Sequence, residues 1–160
     1  MSAVIYHSIG VIHSEHTVPE NTPIQPVYAQ RCKGAVEVFD TYAGGLADLE
    51  GFSHLYLLYH LHRAGPVRLR VKPFLQDTER GIFATRAPCR PNGIGMSIVR
   101  LIRREDNILH VQGIDVLNGT PLLDIKPYVT RFDCIQTDRN GWHDEVNEQE
   151  AGRRGKRNYE

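Results

Sequence analysis

The chain has too few cysteines, placed too far apart, to form a disulfide framework or a zinc site. Its 160 residues contain three cysteines, Cys32, Cys89 and Cys134, and no CxxC pair. An odd number of widely separated cysteines is typical of a protein kept in a reducing compartment. We therefore expect a cytoplasmic protein without structural disulfides.

Long hydrophobic runs and an excess of charge of one sign are also missing. No stretch approaches the roughly 18 apolar residues of a membrane-spanning helix, and the N-terminus lacks the features of a signal peptide. Lys and Arg together number 19, as do Asp and Glu, so the formal net charge is zero. We expect no membrane partner, and any surface for nucleic acid has to be a local one.

Helical periodicity is scarce, and the apolar pattern is mostly short and alternating. One short helix is predicted at 42–52, and a hairpin turn at 105–107. Strands are predicted at 3–13, 34–40, 53–62, 67–74, 96–104, 108–117 and 121–129. Without alternating βα units, this pattern predicts an all-β barrel or sandwich and argues against a Rossmann-type domain. We expect one β domain over residues 1–135, followed by a charged tail over 136–160 whose basic end, "GRRGKRNYE" at 152–160, is frayed and solvated.

The segment "ATRAPCRPNGIGMS", residues 84–97, combines two arginines with two prolines and two glycines. Arg86 and Arg90 offer rigid donors suited to carboxylates or phosphates, while Gly93 and Gly95 allow close approach of a ligand or of backbone. The structural alternative is a stiff loop whose arginines bond neighbouring carbonyls. Both interpretations are consistent with the residues alone.

A second segment, "LNGTPLLDIKPY" at 117–128, begins with the tight-turn signal Asn118-Gly119. In the strand that follows, Asp124, Lys126 and Tyr128 alternate onto one face, opposite Leu123 and Ile125. A carboxylate, an ammonium and a phenol on one face could form a site or a solvated surface.

Histidines and a cysteine provide two weaker candidates. His54, His60 and His62 share parity in the strand predicted at 53–62, but no Cys or carboxylate with ligand spacing completes a metal site, and we predict none. Cys89 lies near two arginines in the sequence and could be a reactive thiol, although a small packing residue is the simpler interpretation.

"GIFATRAPCRPNGIGMSIVRL" followed by "IDVLNGTPLLDIKPY" closely resembles the TsaA-like proteins, the family of TrmO-type tRNA adenosine methyltransferases. Weaker matches, "IGVIHS" and "LADLEGFSHLYLLYHLHR", extend the resemblance over nearly all of residues 8–132. The resemblance implies a β-barrel, usually a homodimer, that binds S-adenosylmethionine. Characterised members methylate N6 of the threonylcarbamoyl-modified adenosine beside the anticodon of threonine tRNA.

Site residues follow from the resemblance where the motifs match. The implied cofactor shell is Pro23, Ile24, Gln25, His62, Arg63, Arg86, Met96, Asn118, Gly119, Thr120 and Pro121. The motif places Asp124 and Tyr128 on the strand that leaves the cofactor turn, and our hypothesis is that one of them orients or deprotonates the acceptor nitrogen. Arg90 and Lys126 are expected to contact substrate. Three positions depart from the family pattern: Gly93 replaces a proline, Asn118 an aspartate and Ile24 an arginine.

A tRNA substrate requires a positive surface, and three groups of basic residues could provide it. They are Arg68, Arg70 and Lys72; Arg100, Arg103 and Arg104; and Arg153, Arg154, Lys156 and Arg157. Other functions consistent with the resemblance are a methyltransferase for another acceptor and a non-catalytic S-adenosylmethionine-binding sensor.

Overall fold

Six antiparallel strands close into a barrel in the computed structural model, which describes residues 1–157. Around the barrel, the strands follow the order β1-β2-β7-β6-β3-β8. They are β1 (Gly10–Ser14), β2 (Lys33–Val38), β3 (His54–His60), β6 (Ile94–Glu105), β7 (Ile108–Gln112) and β8 (Thr120–Pro127). A separate two-stranded sheet pairs β4 (Arg70–Val71) with β5 (Arg80–Gly81). The all-β prediction is confirmed, and of the two predicted architectures the structure has the barrel and not the sandwich.

Buried aliphatic side chains fill the barrel, because alternate residues of each strand point inward. The strands contribute Ile12, Val36, Val38, Leu55, Leu57, Val99, Leu101, Leu109, Val111 and Leu122, each at most 9% exposed. On β8 the pairing register shifts between Leu58 and Tyr59 of β3. This β-bulge places Leu122 inside the barrel, where strict alternation predicts Leu123.

The hairpin of β6 and β7 is confirmed at the predicted turn. Glu105 pairs with Ile108 across Asp106, which has a positive φ of 52°, and Asn107. The amide of Asn107 donates to the carbonyl of Val38 at 2.8 Å, which attaches the turn to β2.

Three predicted strands have half their expected length or less. The strand predicted at 3–13 begins only at Gly10, and Val4, Ile5 and Tyr6 lie exposed. The strand predicted at 67–74 is reduced to the two residues of β4, because this segment lies outside the barrel and its alternating apolar residues have no face to pack against. The strand predicted at 108–117 ends at Gln112, and Gly113 follows with a φ of +86°.

The helix predicted at 42–52 is wrong in type. Two 3₁₀-helices, Asp40–Leu46 and Leu49–Gly51, replace it. Gly44 and Gly45 have low helix propensity, and Asp48 takes a left-handed conformation with φ of 66° that separates the two turns. Other 3₁₀-helices are Pro19–Asn21, Pro26–Tyr28 and Ile82–Ala84.

The prediction of a frayed tail is wrong for the residues that the structure describes. After the short helix α1 (Thr130–Asp133), a 3₁₀-helix (Gly141–Glu145) leads into α2 (Glu148–Lys156). Asn147 caps α2 by accepting bonds from the backbone of its first turn, and acidic residues at its start and basic ones at its end suit the helix dipole. The end of the predicted tail, residues 158–160, lies outside the described residues.

None of the helices within residues 1–157 has the length and apolar character needed to cross a membrane.

Candidate functional site

Two long loops outside the barrel meet at a hydrogen bond between Arg86 and Gln25. The Arg86 guanidinium donates to Oε1 of Gln25 at 2.6 Å, across 61 residues of sequence. Gln25 immediately precedes the 3₁₀-helix Pro26–Tyr28, and Arg86 comes two residues after the 3₁₀-helix Ile82–Ala84. Arg86 is exposed, so its remaining donors can reach a ligand.

Hydrogen bonds attach the Asn118-Gly119 turn to β1 and to the residues that follow β1 in the sequence. The Asn118 N–H donates to the His16 carbonyl at 2.7 Å, and its side-chain oxygen accepts from the Ser14 N–H at 3.1 Å. Gly119, with φ of +82°, donates its N–H to Ile12 at 2.9 Å. Both turn residues are exposed, so a rigid backbone edge faces solvent at the start of β8.

His62 and Arg63 reach the same part of the molecule from the end of β3. Nδ1 of His62 lies 3.4 Å from Oγ1 of the buried Thr120. Arg63 donates to the carbonyl of Thr17 at 3.2 Å. Partial burial and the nearby Arg63 lower the pKa of His62, which favours its neutral form. The structure therefore brings together these two residues with the Asn118–Thr120 turn.

A buried polar chain, which the sequence predictions missed, lies inside the barrel. Ser97 donates to Oδ1 of Asp115 at 2.5 Å, and its oxygen is 2.8 Å from the hydroxyl of Tyr59. Burial raises the pKa of Asp115 to about 7, although Ser97 and the positive charge of Arg86 oppose the rise. Arg86 thus lies within electrostatic reach of Asp115, which places it near this end of the barrel. One signal was available: Asp115 is a carboxylate between two apolar residues, Ile114 and Val116.

The implied catalytic residues lie on the outer face of the barrel. Leu58 pairs with Asp124 on one side and with Met96 on the other, so the three side chains form one row across β8, β3 and β6. Neighbouring strands are about 4.8 Å apart, which puts the backbones of Asp124 and Met96 about 10 Å apart. Met96 is 42% exposed.

Asp124 and Lys126 share that face, as the sequence predicted, and form an ion pair at 2.9 Å with both side chains substantially exposed. Tyr128 follows β8, and its ring centroid lies 5.7 Å from that of Tyr56 on β3. The Asp124 carboxylate also accepts from the N–H of Ile125 at 2.9 Å.

Three other members of the implied cofactor shell have mainly structural surroundings. Pro23 is buried, and the N–H of Ile24 donates to the carbonyl of Gly155 in α2 at 3.0 Å. Pro121 is half-buried and pairs with Val11 of β1.

Arg90 shows the structural alternative that the sequence left open. Its guanidinium donates to the carbonyls of Thr85 at 2.9 Å and Ala87 at 3.1 Å, which stiffens its own loop. Gly95 also has a packing role, because the Tyr59 ring occupies the space where a side chain at Gly95 would lie. Gly93, by contrast, has room for a methyl group.

The histidines of β3 do not converge on a metal site. Within residues 1–157, no group of three or more His, Cys, Asp or Glu side chains is arranged to hold a metal ion. Cys89 is a half-buried free thiol whose backbone carbonyl accepts from the N–H of Arg68.

Many of the basic residues proposed for tRNA binding are paired with acids. Arg70 bonds Glu79 at 2.6 Å, and Arg104 bonds Glu50 at 3.2 Å. Arg103 pairs with Glu105, and in α2 both Arg153 and Arg154 pair with Glu150. Acidic partners thus partly neutralise the basic groups. A tRNA surface would depend more on the basic residues outside these ion pairs, such as Arg68, Lys72 and Arg100.

Comparison with known proteins identifies the family. The model of the tRNA-methyltransferase O N-terminal domain matches residues 11–134, more than half of the chain. A probable S-adenosyl-L-methionine-binding protein from Pyrococcus abyssi is 50% identical over 139 residues, which are 87% of this chain and 76% of the relative. The human tRNA (adenine(37)-N6)-methyltransferase is 35% identical over 80% of this chain, but only 31% of the human protein is covered.

Solved structures agree with the sequence comparison. A crystal structure of TrmO from Pseudomonas aeruginosa superposes with a TM-score of 0.73 at 39% identity, over 88% of this chain. The chain spans 62% of the length of that structure. The chain belongs to the family of the tRNA-methyltransferase O N-terminal domain, as its motifs predicted.

Proposed function

We propose that this domain binds S-adenosylmethionine and transfers its methyl group to N6 of an adenine in tRNA, with threonylcarbamoyladenosine at position 37 of threonine tRNA as the acceptor. The observation that carries the proposal is the Arg86–Gln25 hydrogen bond, which joins two family motifs that are distant in sequence. Relatives named for S-adenosyl-L-methionine binding and for methylation of tRNA adenine 37 support it.

The residues around Arg86 have the chemistry that this cofactor requires. S-adenosylmethionine carries a carboxylate, an adenosine and a sulfonium. The exposed Arg86 guanidinium suits the carboxylate, and the exposed Asn118-Gly119 turn offers polar groups to the adenosine. His62, kept neutral by its lowered pKa, adds no positive charge to repel the sulfonium. The fit supports His62, Arg63, Arg86 and the 118–121 turn as the cofactor shell, together with Pro23, Ile24, Gln25 and Met96.

When bound, the cofactor supplies an electrophilic methyl group, and the chain's own residues have to position the acceptor and remove its proton. The N6 lone pair of the modified adenine is delocalised, so a nearby proton acceptor should increase the rate by about 10²–10⁴-fold. Asp124 is the strongest candidate, because it lies on the outer face of the barrel in the same row as Met96 of the proposed cofactor shell. Tyr128 borders the same face and can orient the base.

Lys126 and Arg90 are the proposed substrate contacts. Lys126 lies 2.9 Å from Asp124 and can exchange that ion pair for a phosphate. Arg90 has donors beyond those that bond its loop, and its guanidinium lies 6.0 Å from the ring of Phe83.

A homodimer is part of the proposal, because the outer face of β6 is apolar apart from Arg100. Ile94, Met96, Ile98 and Ile102 are each at least 37% exposed along this strand. A second copy packed here would remove an apolar strip from water and would bring two sets of basic residues to one tRNA. We place the protein in the cytoplasm, where its cysteines would stay reduced.

A non-catalytic sensor of S-adenosylmethionine is the second candidate, and the Asp124–Lys126 ion pair favours it. A carboxylate already neutralised by an ammonium is a weaker proton acceptor. A methyltransferase for another acceptor would use the same cofactor shell and would differ only in the molecule that receives the methyl group.

Transfer of a radiolabelled methyl group tests the proposal. Purified protein and labelled S-adenosylmethionine are incubated with threonine tRNA that carries or lacks the threonylcarbamoyl group, and the modified nucleosides are separated. We expect label only on the threonylcarbamoylated adenosine. Cofactor binding without label on any tRNA would favour the sensor or another acceptor.

A further inference from the structure

The C-terminal segment presents an aromatic pair beside Arg86. The ring centroids of Trp142 and His143 are 3.8 Å apart with an interplanar angle of 26°, so the two rings are stacked. His143 is exposed and Trp142 is partly buried beneath it. Both lie beyond residues 11–134, the range matched by the family model.

The pair is anchored to the loop that carries Arg86. The indole N–H of Trp142 donates to the carbonyl of Ala84 at 2.8 Å, two residues before Arg86. The positive charge of Arg86 contributes to the lowered pKa of His143, after partial burial, and so the two side chains lie within electrostatic reach. The lowered pKa favours the neutral form of His143, whose ring lies within electrostatic reach of an exposed cation.

Neighbouring contacts make this position rigid. Both the N–H and the side-chain amide of Asn140 bond the carboxylate of Asp144 at 3.0 Å, which closes the turn around the two rings. Glu145 accepts from Gln76 at 3.0 Å and pairs with Arg80 at 3.2 Å, which connects the same turn to the β4–β5 region. A surface held from both sides loses little conformational freedom when a ligand binds.

A flat aromatic ring with a nearby guanidinium is the combination that recognises an unpaired nucleobase. Proteins that read single-stranded RNA loops stack splayed bases on aromatic side chains, including His and Trp, and neutralise the phosphates with arginine. An enzyme that modifies a base also has to extract it from the stack, and a platform for the base or its neighbour lowers the cost.

We propose that the stacked pair of His143 and Trp142 is a binding position for a nucleobase of the RNA substrate, with His143 as the ring that the base contacts. This inference rests on the proposed action on tRNA. It assigns RNA contact to a C-terminal segment outside the family-matched domain, and it adds an aromatic contact to the basic residues.

Trp142 provides a direct probe, since it is the chain's one tryptophan. In protein already saturated with S-adenosylmethionine, we expect threonylcarbamoylated threonine tRNA to change the Trp142 fluorescence beyond any change that the cofactor produces. A response to the cofactor that matches the response to RNA would overturn the assignment to RNA and would indicate the cofactor's own adenine.

Substitutions of His143 distinguish stacking from charge. His143→Ala should weaken the affinity for tRNA at least about fivefold, since a base on an aromatic ring contributes about 1–3 kcal/mol. His143→Phe should restore most of the affinity, and His143→Lys should not. His7→Ala, at another exposed histidine, is the matched control and should bind tRNA like the wild type.

The outcomes separate this inference from the proposed function. If wild-type protein binds tRNA and His143→Ala binds it equally well, the stacking position is wrong and the function stands. Rescue by Lys but not by Phe would also overturn it, in favour of a phosphate contact. If the wild type binds cofactor but no tRNA, the proposed function itself fails.

Discussion

The backbone N–H of Ile24 donates to the carbonyl of Gly155 at 3.0 Å, so helix α2 is attached directly to the loop that precedes Gln25. Gly155 is buried against the ring of Tyr28, and a side chain at Gly155 would overlap that ring. Arg154 extends the attachment with an ion pair to Asp77 at 3.0 Å. The C-terminal helix thus contacts the loop that carries Gln25 and the connection between β4 and β5.

Gly155→Ala should therefore detach α2 and loosen the cofactor loop. Overpacking of this kind costs about 1–3 kcal/mol, so we expect the free energy of unfolding to fall by that amount and the cofactor affinity to fall with it. Gly152→Ala is the matched control in the same helix, because a side chain there meets nothing within 4 Å. It should stabilise the protein by up to about 1 kcal/mol. Urea unfolding of both variants checks the prediction. Equal free energies of unfolding for Gly155→Ala and Gly152→Ala would contradict it.

Asp115 should make stability depend on pH between about 4 and 7. In this window the folded state keeps the Asp115 carboxyl protonated, since its pKa is raised to about 7, while the unfolded state ionises it. The unfolded state then binds fewer protons, so the Asp115 contribution to the free energy of unfolding falls by up to about 1.4 kcal/mol for each pH unit of increase. It should be fully present below about pH 4 and lost above about pH 7.

Asp115→Asn removes this titration. Urea unfolding at pH 5 and pH 8 should show that the wild type loses about 2–3 kcal/mol more than the variant over this interval. Parallel pH profiles for the two proteins would mean that Asp115 is ionised throughout.

Asp124→Asn tests the proposed proton acceptor. The amide keeps the size of the carboxylate but accepts a proton poorly, so turnover at saturating cofactor and tRNA should fall about 10²–10⁴-fold. The dissociation constant for S-adenosylmethionine should stay within about twofold of the wild type. Asp138→Asn, at a side chain that is 95% exposed, is the control. Unchanged turnover in Asp124→Asn would move the role to Tyr128 or to water.

The sequence predicted the barrel well because alternating apolar residues have a definite face to bury. The strand at 34–40 and the 105–107 hairpin follow that rule closely. The same alternation at 67–74 predicted a strand of eight residues where only the two residues of β4 pair, since a pattern does not reveal how long a partner strand is. The tail was mispredicted because the interactions that order α2, such as the fit of Gly155 against Tyr28, join residues distant in sequence.

The sequence predicted which motifs form the candidate site, but it did not predict the contacts between their residues. The resemblance gave Gln25 and Arg86, but nothing in their spacing indicated that they bond each other. The buried chain of Tyr59, Ser97 and Asp115 was missed because a hydroxyl or carboxylate on a strand is read as solvent-facing unless the register is known. The Leu58–Tyr59 register shift likewise lies beyond simple alternation.

The most direct test of the central claim is calorimetric titration of S-adenosylmethionine into the wild type, Arg86→Ala and Arg103→Ala. Arg103 is an exposed arginine of β6 paired with Glu105, so its variant controls for the loss of one positive charge. We expect binding by the wild type and by Arg103→Ala with the same dissociation constant, and a value at least about tenfold higher for Arg86→Ala, as loss of a charged hydrogen bond of about 1.5–3 kcal/mol requires. An unchanged dissociation constant in Arg86→Ala would contradict the cofactor site proposed at Arg86 and Gln25.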